Sequence, residues 1–499
     1  MFKLAKVSAV LALGMILTAP GHGQEQAIGQ EESDSALRQD ERPGEVIVAR
    51  QGSVEVLDLR GCVEFAWQHN DALQAERQRR RELDGIMNQA LSTGMPTVDI
   101  IGEWSRGRDP SFALDESFSG GGDSGSSVID SLFPGGFLPA PGAIPAQTFW
   151  RASANLHWTL NPVKVIGAVG AANVGIDRQE LIIEGAEHTV AEQTVTAYYG
   201  IILAAEVVAA FEAEVANQRE LLEISQLRYE VGMATVQDTL QAAVRVANLI
   251  PQLRRAHQEV ANAGSRLNAL MGRDPKLPLT IKNETPIETD PINRDRALEL
   301  AMRRPEIGQL ELFVDILRKN RQAQKADGFP YPYLTMDGAV GMVAREIGGL
   351  DDRGHDFWRG AVALTIPIFD GMLTRGLVQE STASIRRTEE ELSGLRRQVE
   401  VEVLELLDSV DTARENLIAA QLNLVRGEDL LEQMTMMYRV GKTDYLSVLV
   451  AEANRTDARR NLLQAGYEVL TLTASLKRAI GRSPLEPLVS IEGLVKGEN

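Results

Sequence analysis

The chain is poor in the residues that build most redox, metal and catalytic sites. One cysteine in 499 residues excludes an internal disulfide and any multi-cysteine zinc or iron–sulfur centre. Six scattered histidines do not make a histidine-rich metal site. Basic residues number 51 against 70 acidic ones, a net charge of −19. That balance argues against a nucleic-acid partner, which needs clustered Lys and Arg. Aromatics are only 5% and charged residues an ordinary 24%, so the chain is neither aromatic-rich nor wholly disordered.

Enzyme signatures are missing too. Residues 119–127 (Ser-Gly-Gly-Gly-Asp-Ser-Gly-Ser-Ser) lack the Gly-Lys-Ser/Thr of a phosphate loop and read as flexible loop. No Gly-x-Ser-x-Gly, His-Glu-x-x-His or paired-carboxylate site stands out. Asp351-Asp352 reads as a solvated loop pair. No catalytic residue, metal ligand or cofactor is therefore expected.

Long apolar runs are almost absent. Val7 to Thr18, behind Lys3 and Lys6, reads as the core of a secretory signal over 1–23, cleaved near Gly23. It is shorter than the ~20 apolar residues a bilayer-spanning helix needs. No other window approaches that length, so the mature chain is expected to lack a transmembrane helix. Leu59-Arg60-Gly61-Cys62 is similar to a lipoprotein-processing box, but a polar stretch separates it from the signal. Cys62 is read as an ordinary helix residue carrying no lipid. Residues 24–56 read as a flexible acidic extension.

What is present is written twice. Tyr229-Glu230-Val231-Gly232 recurs as Tyr438-Arg439-Val440-Gly441, at 438 − 229 = 209. The same offset carries Gly272-Arg273-Asp274-Pro275 onto Gly481-Arg482-Ser483-Pro484. Pro96 to Gly102 matches Pro332 to Gly338 at 332 − 96 = 236, and Trp150-Arg151-Ala152 matches Trp358-Arg359-Gly360 at 358 − 150 = 208. The chain thus reads as repeat 1 over 57–275, a linker over 276–291, repeat 2 over 292–484 and a tail over 485–499.

Each repeat shows two stretches of period-two alternation, the strand signal. They cover about 97–105 and 149–160, then about 333–342 and 357–367. Apolar Trp150, Ala152, Ala154, Leu156 and Trp158 oppose Arg151, Ser153, Asn155 and His157. Strands of about ten residues cross a bilayer when tilted, and four of the five tryptophans fall in them, as in an interfacial girdle. On this reading Asp99, Glu103, Arg151, His157, Asp337 and Arg359 face a lumen. Residues 106–148 form the outward loop of the first hairpin.

The remainder reads as helix. Leu392, Leu395, Val399, Val403, Leu406 and Val410 recur at spacings of three and four, and beyond Gly441 so do Leu446, Leu449 and Ala453. These are coiled-coil seams. Val231-Gly232 and Val440-Gly441 interrupt them, so each repeat carries a long helical hairpin with its turn there. Four strands cannot close a barrel, for which about eight are needed, and open edges in lipid are costly. Chains must pool their strands.

This plan resembles the TolC family of outer-membrane efflux proteins over about 57–484. Its marks are the tip motifs at 228–232 and 438–441, Arg303-Arg304-Pro305-Glu306, Ile366-Pro367-Ile368-Phe369-Asp370-Gly371 and the Gly-Arg-x-Pro ends. The resemblance implies a mixed fold, a membrane β-barrel joined to an all-α coiled-coil barrel, with a trimer closing twelve strands. It implies a homotrimer in the outer membrane of a Gram-negative bacterium, in contact with lipid, its helices in the periplasm. It also implies a periplasmic adaptor and an inner-membrane pump or ABC transporter as partners. Val231, Gly232, Val440 and Gly441 match the turns that adaptors contact. Asp238 and Tyr438 match positions that hold the resting tip shut. The family's basic partner falls on Thr443, with Lys442 beside it, and its acidic ring falls on Ser447 and Val450, so that ring is not carried over. The competing reading is a secreted periplasmic coiled-coil spacer, which would have no need of the four alternating segments.

Overall fold

A computed structural model describes residues 45–47, 56–107, 147–232, 234–283, 293–347, 350 and 355–486. The expected signal segment, residues 108–146 of the expected outer loop and the tail from 487 lie outside the described residues. Fifteen elements are described, in this order: β1 (Glu45–Ile47), β2 (Val56–Leu57), α1 (Leu59–His69), α2 (Asp71–Ser92), β3 (Thr97–Gly107), β4 (Gln147–Leu160), α3 (Pro162–Glu230), α4 (Val236–Leu270), β5 (Thr280–Lys282), α5 (Arg294–Ala301), α6 (Pro305–Lys325), β6 (Tyr333–Ala344), β7 (Asp356–Thr365), α7 (Leu373–Arg439) and α8 (Tyr445–Ala479). Two short helices, two strands, one very long helix and a shorter one thus occur over 59–270 and again over 294–479.

The four long strands form one antiparallel sheet in the order β3-β4-β6-β7. The central pairing joins the second strand of the first hairpin to the first strand of the second, with Ala154 opposite Val340. Among the described residues, the outer strands β3 and β7 each pair on one side only.

Helices leave the sheet directly. Asn161 ends β4 and caps α3, its side chain accepting from the Lys164 amide at 3.2 Å, and Pro162 occupies the first turn, where its missing N–H costs nothing. At 69 residues α3 is about 100 Å long, and α7, at 67, nearly the same. Each folds back at its end onto a 35-residue partner, α4 or α8.

Three features depart from the expectations. First, α3 contains an 18-residue window of mean hydropathy 1.6, long and apolar enough to cross a membrane by length and composition. The search for apolar runs missed it because scattered charges interrupt the helix. Its Tyr198, Ile201 and Ile202 instead lie in a core with Val63 and Ala66 of α1 and Leu267 of α4. Second, the acidic extension over 24–56 is not uniformly without structure. Glu45–Ile47 pairs antiparallel with β5, and β2 pairs parallel on the other side of β5. Strands of two and three residues are too short to leave a period. Third, the seam of α8 runs along a different face. Tyr445, Val448 and Ala451 are buried while Leu446 is exposed. Both faces are apolar near the turn, so periodicity alone does not choose between them. The α7 seam likewise buries Leu407, with Leu406 only partly covered.

Cys62 is fully buried in α1, where burial pushes its thiol up to about 12. A charged cluster joins four helices at one level. The Arg304 guanidinium, 5% exposed, donates to Glu306 at 3.2 Å and to Glu402 of α7 at 2.6 Å. Glu402 also accepts from Arg478 of α8 at 2.9 Å, and Arg478 reaches Glu192 of α3 at 2.6 Å. This gives the Arg-Arg-Pro-Glu motif its structural role: Pro305 starts α6 and Arg304 ties that start to α7.

Candidate functional site

Two regions carry the residues singled out in the sequence, the sheet and the hairpin turns. On the sheet, directly opposed residues share a face. One row runs Asp99, Asn155, Ala339, Arg359; a second runs Thr97, His157, Asp337, Ala361; a third sets Glu103 against Arg151 and Val343. All six polar residues assigned to a lumen therefore lie on one face. Arg151 approaches Glu103 at 3.5 Å, and His157 Nδ1 lies 2.7 Å from Asp337 Oδ1. The opposite face carries Ile100, Trp104, Trp358, Val362 and Leu364 and is exposed, Ile100 by 88% and Trp358 by 82%. A sheet face this apolar and this exposed is a poor match to water and suited to lipid.

At the first turn α3 ends at Glu230, and Gly232 adopts φ +76° while its amide donates to the Tyr229 carbonyl at 3.0 Å. Thr235 then caps α4 in a reciprocal box: its hydroxyl accepts from the Asp238 amide at 3.2 Å, and Asp238 Oδ2 accepts from the Thr235 amide at 3.0 Å. At the second turn Gly441 has φ +75° and donates to Tyr438 at 3.0 Å, while the Lys442 amide donates to Met437 at 2.9 Å. That pair of bonds is a Schellman closure, and positive φ is why glycine stands there. Asp444 caps α8, accepting from the amide of Ser447 at 3.0 Å and its hydroxyl at 2.6 Å. Val231 and Val440 project into solvent, 68% and 65% exposed.

The two hairpins pack together behind the turns. Leu221 of α3, Ala242 of α4, Tyr438 of α7, and Tyr445 and Val448 of α8 form a small buried core. Tyr438 and Tyr445 meet edge-on with centroids 5.9 Å apart. Asp238 and Tyr438 share this end of the molecule but no direct bond between them is found. The Asp238 carboxylate serves its own helix cap, and the buried Tyr438 hydroxyl has no partner among the described residues. Lys442 is exposed and joins neither. One link that crosses between the hairpins at the turns was passed over by sequence reasoning. Arg228 of α3 donates to the Tyr438 carbonyl of α7, and its guanidinium lies 4.4 Å above the Tyr438 ring. Arg228 was visible in the tip motif, but nothing local signals a partner 210 residues away. Among the described residues no group of three His, Cys, Asp or Glu is placed to hold a metal ion.

A four-stranded sheet with one exposed, largely apolar face thus runs into helices about 100 Å long that fold back at their far ends. Known proteins are built in the same way. The family model described as outer membrane efflux protein matches residues 298–482. The outer membrane protein TolC of Escherichia coli is 23% identical over 63% of this chain and 65% of its own length. The outer membrane efflux protein BepC of Brucella suis is 24% identical over 71% of this chain and 77% of its own. The Campylobacter jejuni CmeC outer membrane channel superposes with a TM-score of 0.72 at 17% identity, over 86% of this chain and 87% of that one. Over these stretches the chain is similar to outer membrane efflux proteins.

Proposed function

We propose that the chain is the outer-membrane exit duct of a tripartite efflux or secretion system, a passive conduit from periplasm to exterior. Three copies would pool four strands each into a twelve-stranded barrel, with the repeats over 57–275 and 292–484 supplying two strands and one hairpin apiece. The observation that carries this reading is the sheet. It has one exposed, largely apolar face, one polar face and, among the described residues, two unpaired edges. Unpaired backbone in lipid costs several kcal/mol per group, so β3 of one copy would close on β7 of the next. Asp99, Glu103, Arg151, His157, Asp337 and Arg359 would then line the lumen. The exposed Val231, Gly232, Val440 and Gly441 would receive a periplasmic adaptor, which in turn engages an inner-membrane pump or ABC transporter. Asp238, Tyr438 and Lys442 would restrain the closed tip. The buried, unpaired Tyr438 hydroxyl supports a bonding partner supplied on assembly. Export by a cleaved signal peptide over 1–23 completes the reading. Cys62, buried in a helix, would stay unlipidated.

The test places a charge on the lipid face. Leu364→Arg should cost about 2–4 kcal/mol per site near mid-membrane and reduce the yield of heat-modifiable trimers in outer-membrane extracts. Trimer yield equal to wild type would overturn the barrel placement of β7. Recovery of the wild-type protein as a soluble periplasmic species would instead favour the spacer.

A further inference from the structure

Behind the tip core lies a polar cluster that the channel reading does not use. Glu214 and Gln218 of α3 and Glu452 of α8 are all buried, with 1%, 0% and 1% exposure. They meet across the junction of the two hairpins. The Gln218 amide nitrogen donates to Glu452 Oε2, and its carbonyl oxygen accepts from the Tyr445 hydroxyl at 3.2 Å. Glu214 accepts from Arg245 of α4 at 2.6 Å. Among the described residues, Glu452 makes no ion pair of its own there, and its Oε1 has no partner.

A buried carboxylate oxygen without a donor is expensive, because desolvation penalises the charged form. A proton on Glu452 removes the charge and turns the orphan oxygen into a donor. We propose that Glu452 is a proton-operated clasp between the two hairpins: protonated, it lets α3 and α8 close behind the tip, and ionised, it loosens them.

The surroundings agree. Glu452 faces Glu214 and Gln218 from α3, Arg245 from α4 and Arg455 from its own helix, while α7 contributes Tyr438 to the adjoining core. Burial first, then the Glu214 charge, raise the Glu452 carboxyl to about 7; Arg455 and Arg245 oppose them. The ordinary value for a glutamate lies near 4.3. The closed form therefore holds more protons than the open one between those values. Its stability is greatest at acid pH, falls as pH rises towards 7 and is flat above. A cavity of about 280 Å³ beside the cluster, lined by Glu214, Arg245, Gln252, Thr456, Asp457 and Arg460, offers the ionised pair room to take up water.

The clasp can be tested on the full chain in detergent, without reliance on conduction. Infrared difference spectra from about pH 5 to about pH 9 should show a protonated carboxyl band lost with a midpoint near 7, well above an ordinary glutamate. Spin labels at Gln226 of α3 and Leu446 of α8 should report a narrow distance distribution at low pH that broadens over the same range. Glu452→Gln keeps a neutral acceptor and donor in place. It should abolish both the band and the pH dependence, leaving the narrow distribution throughout. Glu214→Gln, which removes the neighbouring charge, should move the midpoint towards acid. The clasp is overturned if Glu452→Gln leaves the band intact, or if the distances stay constant across the titration of Glu452. Neither outcome bears on whether the protein is a channel.

Discussion

The two hairpin turns have the same backbone and different chemistry. In both, a Val caps a helix of nearly 70 residues and a positive-φ glycine reverses the chain, with hydrogen bonds of nearly equal length. The first turn is self-contained: Thr235 and Asp238 satisfy one another, and a Cβ on Gly232 would meet nothing within 4 Å. The second is tied to its neighbour. Tyr438 is buried under Arg228, and a Cβ on Gly441 would come within 3.7 Å of the Arg228 guanidinium. A repeated fold thus keeps its turn geometry, set by local backbone rules, while interhairpin contacts diverge. Sequence identity between the motifs reports only the first.

Removing Arg228 should erase most of that difference. Arg228→Ala forfeits a cation–π contact and a charged hydrogen bond, together about 2–4 kcal/mol. Amide exchange over 436–448 should then quicken to the level of 229–242; unchanged protection of Tyr438 and Gly441 would show that the second turn holds itself.

The caps give a smaller effect and a different signature. Thr235→Ala should cost about 1 kcal/mol locally, read as fraying of the first turn of α4, and Asp444→Ala should fray the first turn of α8. The Ser447 hydroxyl, then the Ser447 amide, hold the Asp444 carboxyl below its ordinary value. Its contribution is therefore complete above the ordinary carboxylate pKa and is lost as pH falls through the depressed one. Acidification should fray α8 at its start in wild type and add nothing in Asp444→Ala.

The smallest effect belongs to the exposed pair Arg439–Glu220, 2.9 Å apart. Arg439→Gln should change tip protection by no more than a few tenths of a kcal/mol, and salt should mimic it. A larger loss would make this pair, rather than Arg228, the tie between hairpins.

How much of this was legible in the sequence follows from the range of each interaction. Alternation is a local property, so the two faces of the sheet could be read from Trp150 to Leu160 alone. The glycine turns are local as well. The pairing of β4 with β6 is not, because about 170 residues intervene and each strand would satisfy a period-two pattern beside any partner. The same limit hid Arg228. It also hid the Gln218–Glu452 contact, since a polar residue in an apolar stripe looks the same whether solvated or buried against a second one. The apolar stretch of α3 was passed over for another reason: scattered polar and charged residues break it into short runs, although the window as a whole is long and apolar enough to span a membrane.

The charged cluster at Arg304 has a mechanical consequence. Arg304, Glu402, Arg478 and Glu192 rivet α6, α7, α8 and α3 at one level. Between Glu402 and Arg439 the α7 rod runs on for some 37 residues, or about 55 Å at 1.5 Å per residue. The rivet is a fulcrum and the rod a lever arm. A tilt of about 10° at the fulcrum would carry the Val440-Gly441 turn roughly 10 Å sideways, while every backbone hydrogen bond of the helix stayed in place. Small adjustments among four side chains near the middle of the molecule would therefore be magnified into an aperture at its end.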